Sequence, residues 1–510
     1  MVARVATAGE TVACERAAIA KGTPAAELMR RAGEAAAELI VARYPERLGR
    51  GVVVFAGQGN NGGDGWVVAA SLVRRGIRCR VASTGEQKSE HARHARNTAL
   101  ASGASESALA AGDEALFIDA LLGTGSSGPP KDAVAEAIDI IVRGRDAGAT
   151  VIALDLPTGL DATTGEHSGS LTADFTVSFG VMKRGHLLAR NICGHLAVAD
   201  IGMACPELEF LPVLVDAAWV KARVPAIPAA AHKGTRKSLT VVGGGRGMAG
   251  ASILAGEGAL RAGIGLLRIS VEEGNEVAIH AGIPSAIVQQ WPRDASQLAS
   301  NLAGVDAVAI GPGLGKSPGT RDLVERILLA FSGPVVVDAD ALNVFQNDAL
   351  SLAQLLNGRP AVITPHPAEF ARLAGVAIDE VVDGRFDIGL ELAAQLGAAV
   401  LLKGSPTVIF SPSGERLVCA AGTAALATGG SGDVLTGMIG TLAAQMCGGD
   451  NPAGAAEAAA CSAFVHGRAA ELCGRVRGTT LSDILEMMPL AWELQDEKLP
   501  PDVLAILESH

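Results

Sequence analysis

The stretch Val52-Val53-Val54-Phe55-Ala56-Gly57-Gln58-Gly59-Asn60-Asn61-Gly62-Gly63-Asp64-Gly65 opens as a short apolar run and ends in a turn crowded with Gly and Asn. A helical pattern over 66–75 and a second β-type run over 79–82 follow. Strand, turn, helix, strand is a βαβ unit, and such units build a parallel sheet covered by helices. The turn is not GxGxxG, and no GK[ST] follows it, so neither the dinucleotide fingerprint nor a P-loop is present. Asn60, Asn61 and Asp64 supply neutral and charged oxygens, as a hard cation or a ribose would need.

The same alternation extends outward. Residues 10–44 read as Ala-rich helices. A run at 115–118 ends at Asp119 and enters Leu121-Leu122-Gly123-Thr124-Gly125-Ser126-Ser127-Gly128-Pro129-Pro130. A run at 151–154 ends at Asp155 and enters Leu156-Pro157-Thr158-Gly159. In an open parallel sheet the carboxyl ends of the strands share one edge, where ligands bind. Asp64, Asp119 and Asp155 thus converge on one edge, and a site is expected there. Pro206, Pro212, Pro225 and Pro228 mark a change of composition, so a domain boundary is expected at 215–230, with domains over 1–215 and 230–510.

The second half restarts at 239–242 with a strand that meets Gly243-Gly244-Gly245-Arg246-Gly247-Met248-Ala249-Gly250. Later runs lead into Gly311-Pro312-Gly313-Leu314-Gly315, Asp338-Ala339-Asp340-Ala341-Leu342-Asn343, Thr364-Pro365-His366-Pro367-Ala368-Glu369 and Lys403-Gly404-Ser405-Pro406-Thr407. Residues 407–410 and 416–419 read as a hairpin. Thr428-Gly429-Gly430-Ser431-Gly432-Asp433 then precedes an apolar helical run to 446. Ser431 is read as the N-cap, and glycines let backbone N–H groups crowd towards an anion at that helix end. Asp433 in the first turn either takes a proton from an attacking hydroxyl or only offsets the helix dipole. Lys403 either reaches a phosphate or stays solvated, and His366 is held rigidly between two prolines.

With 510 residues, 49% hydrophobic, the chain has room for several cored domains. A net charge of −12 argues against nucleic acid or an anionic membrane as main partner. Its eight cysteines include no CxxC pair, which fits free thiols in a reducing compartment. No signal peptide and no uninterrupted apolar span of membrane length is read, so a soluble cytoplasmic protein is expected.

The second-half motifs resemble the ADP/ATP-dependent NAD(P)H-hydrate dehydratases. The first-half motifs Asn60-Asn61-Gly62-Gly63-Asp64-Gly65, Asp119 to Gly125 and Asp155-Leu156-Pro157-Thr158-Gly159 resemble the NAD(P)H-hydrate epimerases. Their order is that of bacterial bifunctional NAD(P)H-hydrate repair enzymes. The resemblance implies a Rossmann-like three-layer αβα domain followed by a ribokinase-like αβα domain. It implies R-to-S epimerisation of hydrated NADH or NADPH in the first, and ADP- or ATP-driven dehydration of the S hydrate in the second. By it, Asn60, Asn61, Gly62, Gly63, Asp64, Gly123, Thr124, Gly125, Ser126, Ser127, Gly128, Pro129 and Asp155 bind the hydrate in the first half, with Asp155 as candidate acid/base. K⁺ is expected at Asn61, Asp119 and Thr158. In the second half Ala251, Gly313, His366 and Asp433 contact the hydrate, Asp433 is the catalytic base, and Lys403, Gly404, Ser405, Pro406, Thr407 and Gly432 hold the nucleotide with its Mg²⁺. Partners are expected to be small molecules and copies of the same chain.

The chain departs from the family at Thr158, where Ser is common, at Ala368 for Gly, at Thr423-Ala424 for Asn-Pro, and at Met248 for an aromatic. Two other classes remain open on sequence: a ribokinase-type kinase of a vitamin precursor, and a first half that is a nucleotide- or RNA-binding module.

Overall fold

The structure, a computed structural model, describes residues 2–126, 128–167, 169–203, 206–447, 453–494 and 502–508. The chain divides into two compact units, the first ending at Leu214 and the second beginning at Val215. The division falls at the start of the expected 215–230 boundary. The strand Val503–Leu507 belongs to the first unit, not to a second domain running over 230–510.

The first unit carries an eight-stranded sheet. From one edge the order is Val503–Leu507, His195–Ala199, Phe175–Phe179, Thr150–Leu154, Leu116–Ala120, Val52–Ala56, Cys79–Ser83, Ser105–Ser107. Every pairing is parallel except that of Val503–Leu507, which runs antiparallel to His195–Ala199. Side chains alternate across the sheet. Val52, Val54 and Ala56 join a core with Ile40 and Trp66, while Val53 and Phe55 join Phe117 and Ile141 on the other face. Burial on both faces explains why these strands read as unbroken apolar runs. The order reverses between Val52–Ala56 and Leu116–Ala120, and at such a switch point the loops splay apart into a crevice.

The turn after Val52–Ala56 is shorter than its glycines suggest. The helix already begins at Asn60, as Asn60–Arg74, capped by Gly59. A Cβ on Gly62 would lie 1.9 Å from the Gly57 carbonyl oxygen, and one on Gly65 would lie 2.6 Å from the Ala120 Cβ. These glycines let the helix start lie directly on the sheet.

In the second unit the order is Arg416–Cys419, Thr407–Phe410, Ala399–Leu402, Ala361–Ile363, Val335–Val337, Ala307–Ile310, Ser238–Val242, Leu266–Val271, Ile287–Gln290. The hairpin expected at 407–419 is present and antiparallel, and the rest is parallel. The order reverses between Ser238–Val242 and Ala307–Ile310, where the loops are locked by Gly244 N–H to Pro312 O at 2.9 Å. The helix Ser431–Met446 packs hard on Ala249–Arg261. A Cβ on Gly437 would lie 1.7 Å from Ala255 O, and one on Gly258 would lie 2.2 Å from Val434 O. The N-cap of Ser431–Met446 is Gly430 at φ +94°, not Ser431, which is the first helical residue. A left-handed backbone at that point suits Gly and no side chain caps it.

The terminal strand adds an edge to the first sheet. Val503 and Ala505 are buried, and the Glu508 carboxylate meets Arg43 at 2.7 Å and His195. Truncation after residue 494 is expected to lower the melting transition of the first unit by roughly 5–10 °C, from about 2–3 kcal/mol of lost burial and pairing. Differential scanning calorimetry reads this, and an unmoved transition would show that the strand adds nothing.

Candidate functional sites in the two units

The first unit has a cavity of about 700 Å³ at the switch point of its sheet. Asn60, Asn61 and Asp64 line it from the start of their helix, Gly123 to Ser126 from the next loop, and Asp155 from a third. Ser127 lies outside the described residues. Gly128 and Pro129 are exposed and are not among the residues that line it. Gly62 and Gly63 do not line the cavity either. Their Cα atoms pack against Gly57 and Met29, where a Cβ would lie within 2.6 Å of another atom.

Of the expected oxygen donors, Asp119 and Thr158 bond to each other, and Asn61 and Thr158 both bond to the Leu122 backbone. Asp119 lies within its strand and is fully buried. Its carboxylate accepts from the Thr158 hydroxyl at 2.7 Å, the Thr158 N–H at 2.7 Å and the Leu121 N–H at 3.1 Å. Burial outweighs these bonds and pushes its pKa up to about 6. The Thr158 hydroxyl also accepts from the Leu122 N–H, a role a serine would fill equally. Asn61 donates to Leu122 O at 3.0 Å and Leu154 O at 3.1 Å, tying two strand ends together. Its carbonyl oxygen is buried with no hydrogen-bond partner among the described residues, an orphan acceptor beside this loop cluster.

Asp155 sits just past its strand at φ +64°, a strained position for a residue with a Cβ. One carboxylate oxygen accepts from the Thr124 N–H at 3.0 Å and the Thr124 hydroxyl at 2.5 Å. The other is ion-paired with Lys183. Burial raises its pKa, but the Lys183 ammonium and the hydrogen bonds win and hold it below the usual carboxylate value. Lys183 is fully buried and also donates to Ser178 Oγ at 3.0 Å and Phe179 O at 3.1 Å. His186 accepts the Lys183 N–H on Nδ1, so Nε2 carries the proton and donates to Asp155 O at 2.8 Å. Burial drives its pKa down to about 3, which keeps it neutral. Asp64, on the same cavity wall, has no ion pair among the described residues. Burial, with Asp155 and Glu15 nearby, raises its pKa well above the ordinary value. The sequence reading missed Lys183 and His186, although a lysine directly after a buried strand run was a usable signal.

In the second unit Asp338 is the buried centre. It accepts from Lys403 Nζ at 2.9 Å and the Thr436 hydroxyl at 2.7 Å. Burial raises its pKa, but Lys403 and Thr436 pull it below the ordinary value. Lys403 thus turns inward, and Gly432 comes close enough that a Cβ there would lie 3.3 Å from Nζ. Burial opposes the ammonium, but Asp338 and Glu369 keep its pKa raised. Asp433 lies in the first turn of its helix, near Asp338, Asp340 and Glu369. Burial, then Asp338, pushes its pKa up to about 7.

His366 caps the helix Pro367–Ala374. Its Nδ1 accepts from the Ala368 N–H at 3.1 Å, and burial lowers its pKa, so it presents a neutral ring with Nε2 free of the cap. Gly313, at φ +59°, lies against Ala251, since a Cβ there would be 2.9 Å from the Ala251 Cβ. In the 403–407 turn, Gly404 and Ser405 are exposed, Pro406 is buried, and the Thr407 hydroxyl donates to Gly404 O at 3.0 Å. Arg385, unnoticed in the sequence, holds this turn by donating to Lys403 O at 3.3 Å and Pro406 O at 3.2 Å.

Each unit therefore pairs one buried aspartate with a lysine and leaves a second aspartate beside it unpaired among the described residues, the arrangement of an α/β enzyme with two acid–base sites. Family profiles match both units: one described as NAD(P)H-hydrate dehydratase over residues 239–489, and one described as the YjeF-related protein N-terminus over residues 25–185. The bifunctional NAD(P)H-hydrate repair enzyme of Moorella thermoacetica is 35% identical, over 94% of this chain and 95% of that protein. The enzyme of the same description from Escherichia coli K12 is 35% identical, over 89% of this chain and 86% of that protein. The chain belongs to the family of bifunctional NAD(P)H-hydrate repair enzymes. Among solved structures, the ADP/ATP-dependent NAD(P)H-hydrate dehydratase of Bacillus subtilis, co-crystallized with ATP/Mg²⁺, is 31% identical, over 55% of this chain and 97% of that one, with a TM-score of 0.46.

Replacing Lys403 by Met strands the Asp338 carboxylate in the interior. Lys403→Met is expected to destabilise the second unit by about 3–5 kcal/mol, and Lys403→Met with Asp338→Asn to recover most of that. Urea unfolding of both variants is the measurement, and equal losses in the two would refute an ion-pair origin.

Proposed function

We propose that the chain repairs hydrated nicotinamide dinucleotides at two separate sites. The first unit interconverts the R and S hydrates. The second removes water from the S hydrate at the expense of ADP or ATP, releasing NAD(P)H, phosphate and AMP or ADP.

What carries the second half of this reading is the placement of Asp433. Its carboxyl lies in the first turn of a helix whose start no side chain caps, and its pKa of about 7 suits a general base. The hydrate's hydroxyl oxygen attacks the terminal phosphorus of the nucleotide, its proton passes to Asp433, and the shortened nucleotide leaves with the P–O electron pair. The amides of Gly430 to Gly432 face the charge that develops on the phosphoryl oxygens. Phosphate then departs from C6 with the C–O electrons, the ring nitrogen pushing from behind, and loss of the C5 proton restores the ring double bond. Hydroxide leaves poorly and phosphate well, which is why a nucleotide is consumed. Lys403, Gly404, Ser405, Pro406, Thr407 and Gly432 form the nucleotide side, and Ala251, Gly313 and His366 the hydrate side. Mg²⁺ would come with the nucleotide and would offset the charge of its phosphates. Asp338 is already committed to Lys403 and Thr436.

In the first unit Asp155 is the acid/base group, and Asn60, Asn61, Asp64 and Gly123 to Ser126 hold the hydrate. The orphan Asn61 carbonyl oxygen, the Asp119 carboxylate and the Thr158 hydroxyl suit K⁺: one charge among neutral oxygens fits a large monovalent ion, and no thiolate or imidazole set is present among the described residues. Bound there, K⁺ would pin three loops and neutralise Asp119. No helix among the described residues is long and apolar enough to cross a membrane. Cys79, Cys193, Cys419, Cys447, Cys461 and Cys473 are free thiols, as a reducing cytoplasm keeps them.

Two outcomes follow. Dehydration should fall as pH drops below about 7, because a raised carboxyl pKa leaves Asp433 protonated there. Asp433→Asn should lose on the order of 10²–10⁴ in rate while still binding nucleotide. A flat profile from pH 6 to 8, followed by absorbance of the reduced nicotinamide, would dismiss Asp433 as base. Epimer interconversion should be faster in K⁺ than in Na⁺ or choline at equal ionic strength, and Asp119→Ala should be slow in all three. Equal wild-type rates in the three buffers would remove the K⁺ assignment.

A further inference from the structure

Lys183 is fully buried, yet it lines the cavity of the first unit. A buried ammonium has a large desolvation cost and persists only where its donors are used. All three directions of Lys183 Nζ are taken, by Asp155, Ser178 Oγ and Phe179 O. The second of two cavity aspartates, Asp64, feels the ammonium only at a distance and has no ion pair among the described residues. The lysine is thus committed to one carboxylate of the two.

We propose that Lys183 is a positioning residue of epimerisation, anchoring Asp155 as the ionised base while Asp64, with no ion pair among the described residues, is the acid. This rests on the epimerase reading of the first unit. The bond from C6 to the hydroxyl oxygen breaks with its electron pair on oxygen, which takes the Asp64 proton and leaves as water. The lone pair of the ring nitrogen forms the N1=C6 double bond of an iminium. Water adds to the opposite face of C6, the π electrons return to nitrogen, and the water's extra proton passes to Asp155. Transfer of that proton from Asp155 to Asp64 resets the pair. No oxidant or co-reactant is needed, and the product differs from the substrate only in configuration at C6.

The groups facing Asp155 are Lys183 from its short strand, His186 from the following turn, Asp64 from the helix Asn60–Arg74 and Glu15 from the helix Ala8–Ala20. Of these Lys183 is the one cation in contact, and it holds the carboxyl below its ordinary pKa. His186 is neutral, and both acids oppose ionisation. Removing the ammonium therefore raises the Asp155 pKa and moves the acidic limb of the rate profile to higher pH.

The test uses the full chain and the R hydrate, with the epimers separated by chromatography. Lys183→Met should lower kcat for epimerisation on the order of 10²-fold with KM little changed, and move the acidic limb upward. Lys183→Arg should keep the limb near its wild-type position. Dehydration of the S hydrate by the same variants should stay normal. Because Lys183→Met leaves a buried carboxylate uncompensated, the double variant Lys183→Met with Asp155→Asn is made as well. A lysine that acts through Asp155 predicts that this variant is as slow as Asp155→Asn alone and no slower. Wild-type kcat and pH profile in Lys183→Met would overturn the proposal, as would a double variant more than about tenfold slower than Asp155→Asn. A wild type that fails to interconvert the epimers defeats the epimerase reading itself, and the proposal with it.

Discussion

A carboxylate withdrawn from water at the end of a parallel strand needs a cation or a proton. Both units of this chain meet that need in the same way. Lys183 neutralises Asp155 in the first, and Lys403 neutralises Asp338 in the second. A buried lysine cannot serve two acids equally, so a second aspartate in each place carries its charge poorly. That second residue is Asp64 in one unit and Asp433 in the other, each with a raised pKa. Two carboxyl groups in one site, pushed apart in acidity by one ammonium, are what acid–base chemistry near neutral pH requires.

The sheets make this possible. Parallel strands buried on both faces present all their carboxyl ends at one edge, and each switch point opens that edge to a ligand. Glycines then bring helices within backbone contact. Gly62 and Gly65 seat the helix carrying Asp64, and Gly437 and Gly258 seat the helix carrying Asp433. A methyl group at any of these positions would collide with an atom at 2.6 Å or less and lift an acid out of register. The two chemistries differ in what else is offered. The second unit places Lys403 beside the first turn of a helix, while the first holds an orphan oxygen beside its loop cluster.

Much of this was legible in the order of residues. Alternating apolar runs and Gly-rich turns indicate α/β units, and the Asp-ended strands indicate the functional edge. Asp433 in a first turn was readable as a local pattern. The errors also have causes. Ser431 looks like an N-cap, but Gly430 adopts the left-handed backbone and takes the position. Val503–Leu507 follows the second unit in sequence, and only strand pairing across some 300 residues assigns it to the first.

The sequence by itself determined the two α/β units, the edge at which each site forms and the family, because periodicity and turn chemistry are local properties. It did not determine which aspartate is paired and which is left to hold a proton. Lys183 lies 28 residues from Asp155, and Lys403 lies 65 from Asp338. No local pattern links them. Their pairing arises when strands from separate βαβ units come side by side and water is excluded, so only the tertiary structure decides it.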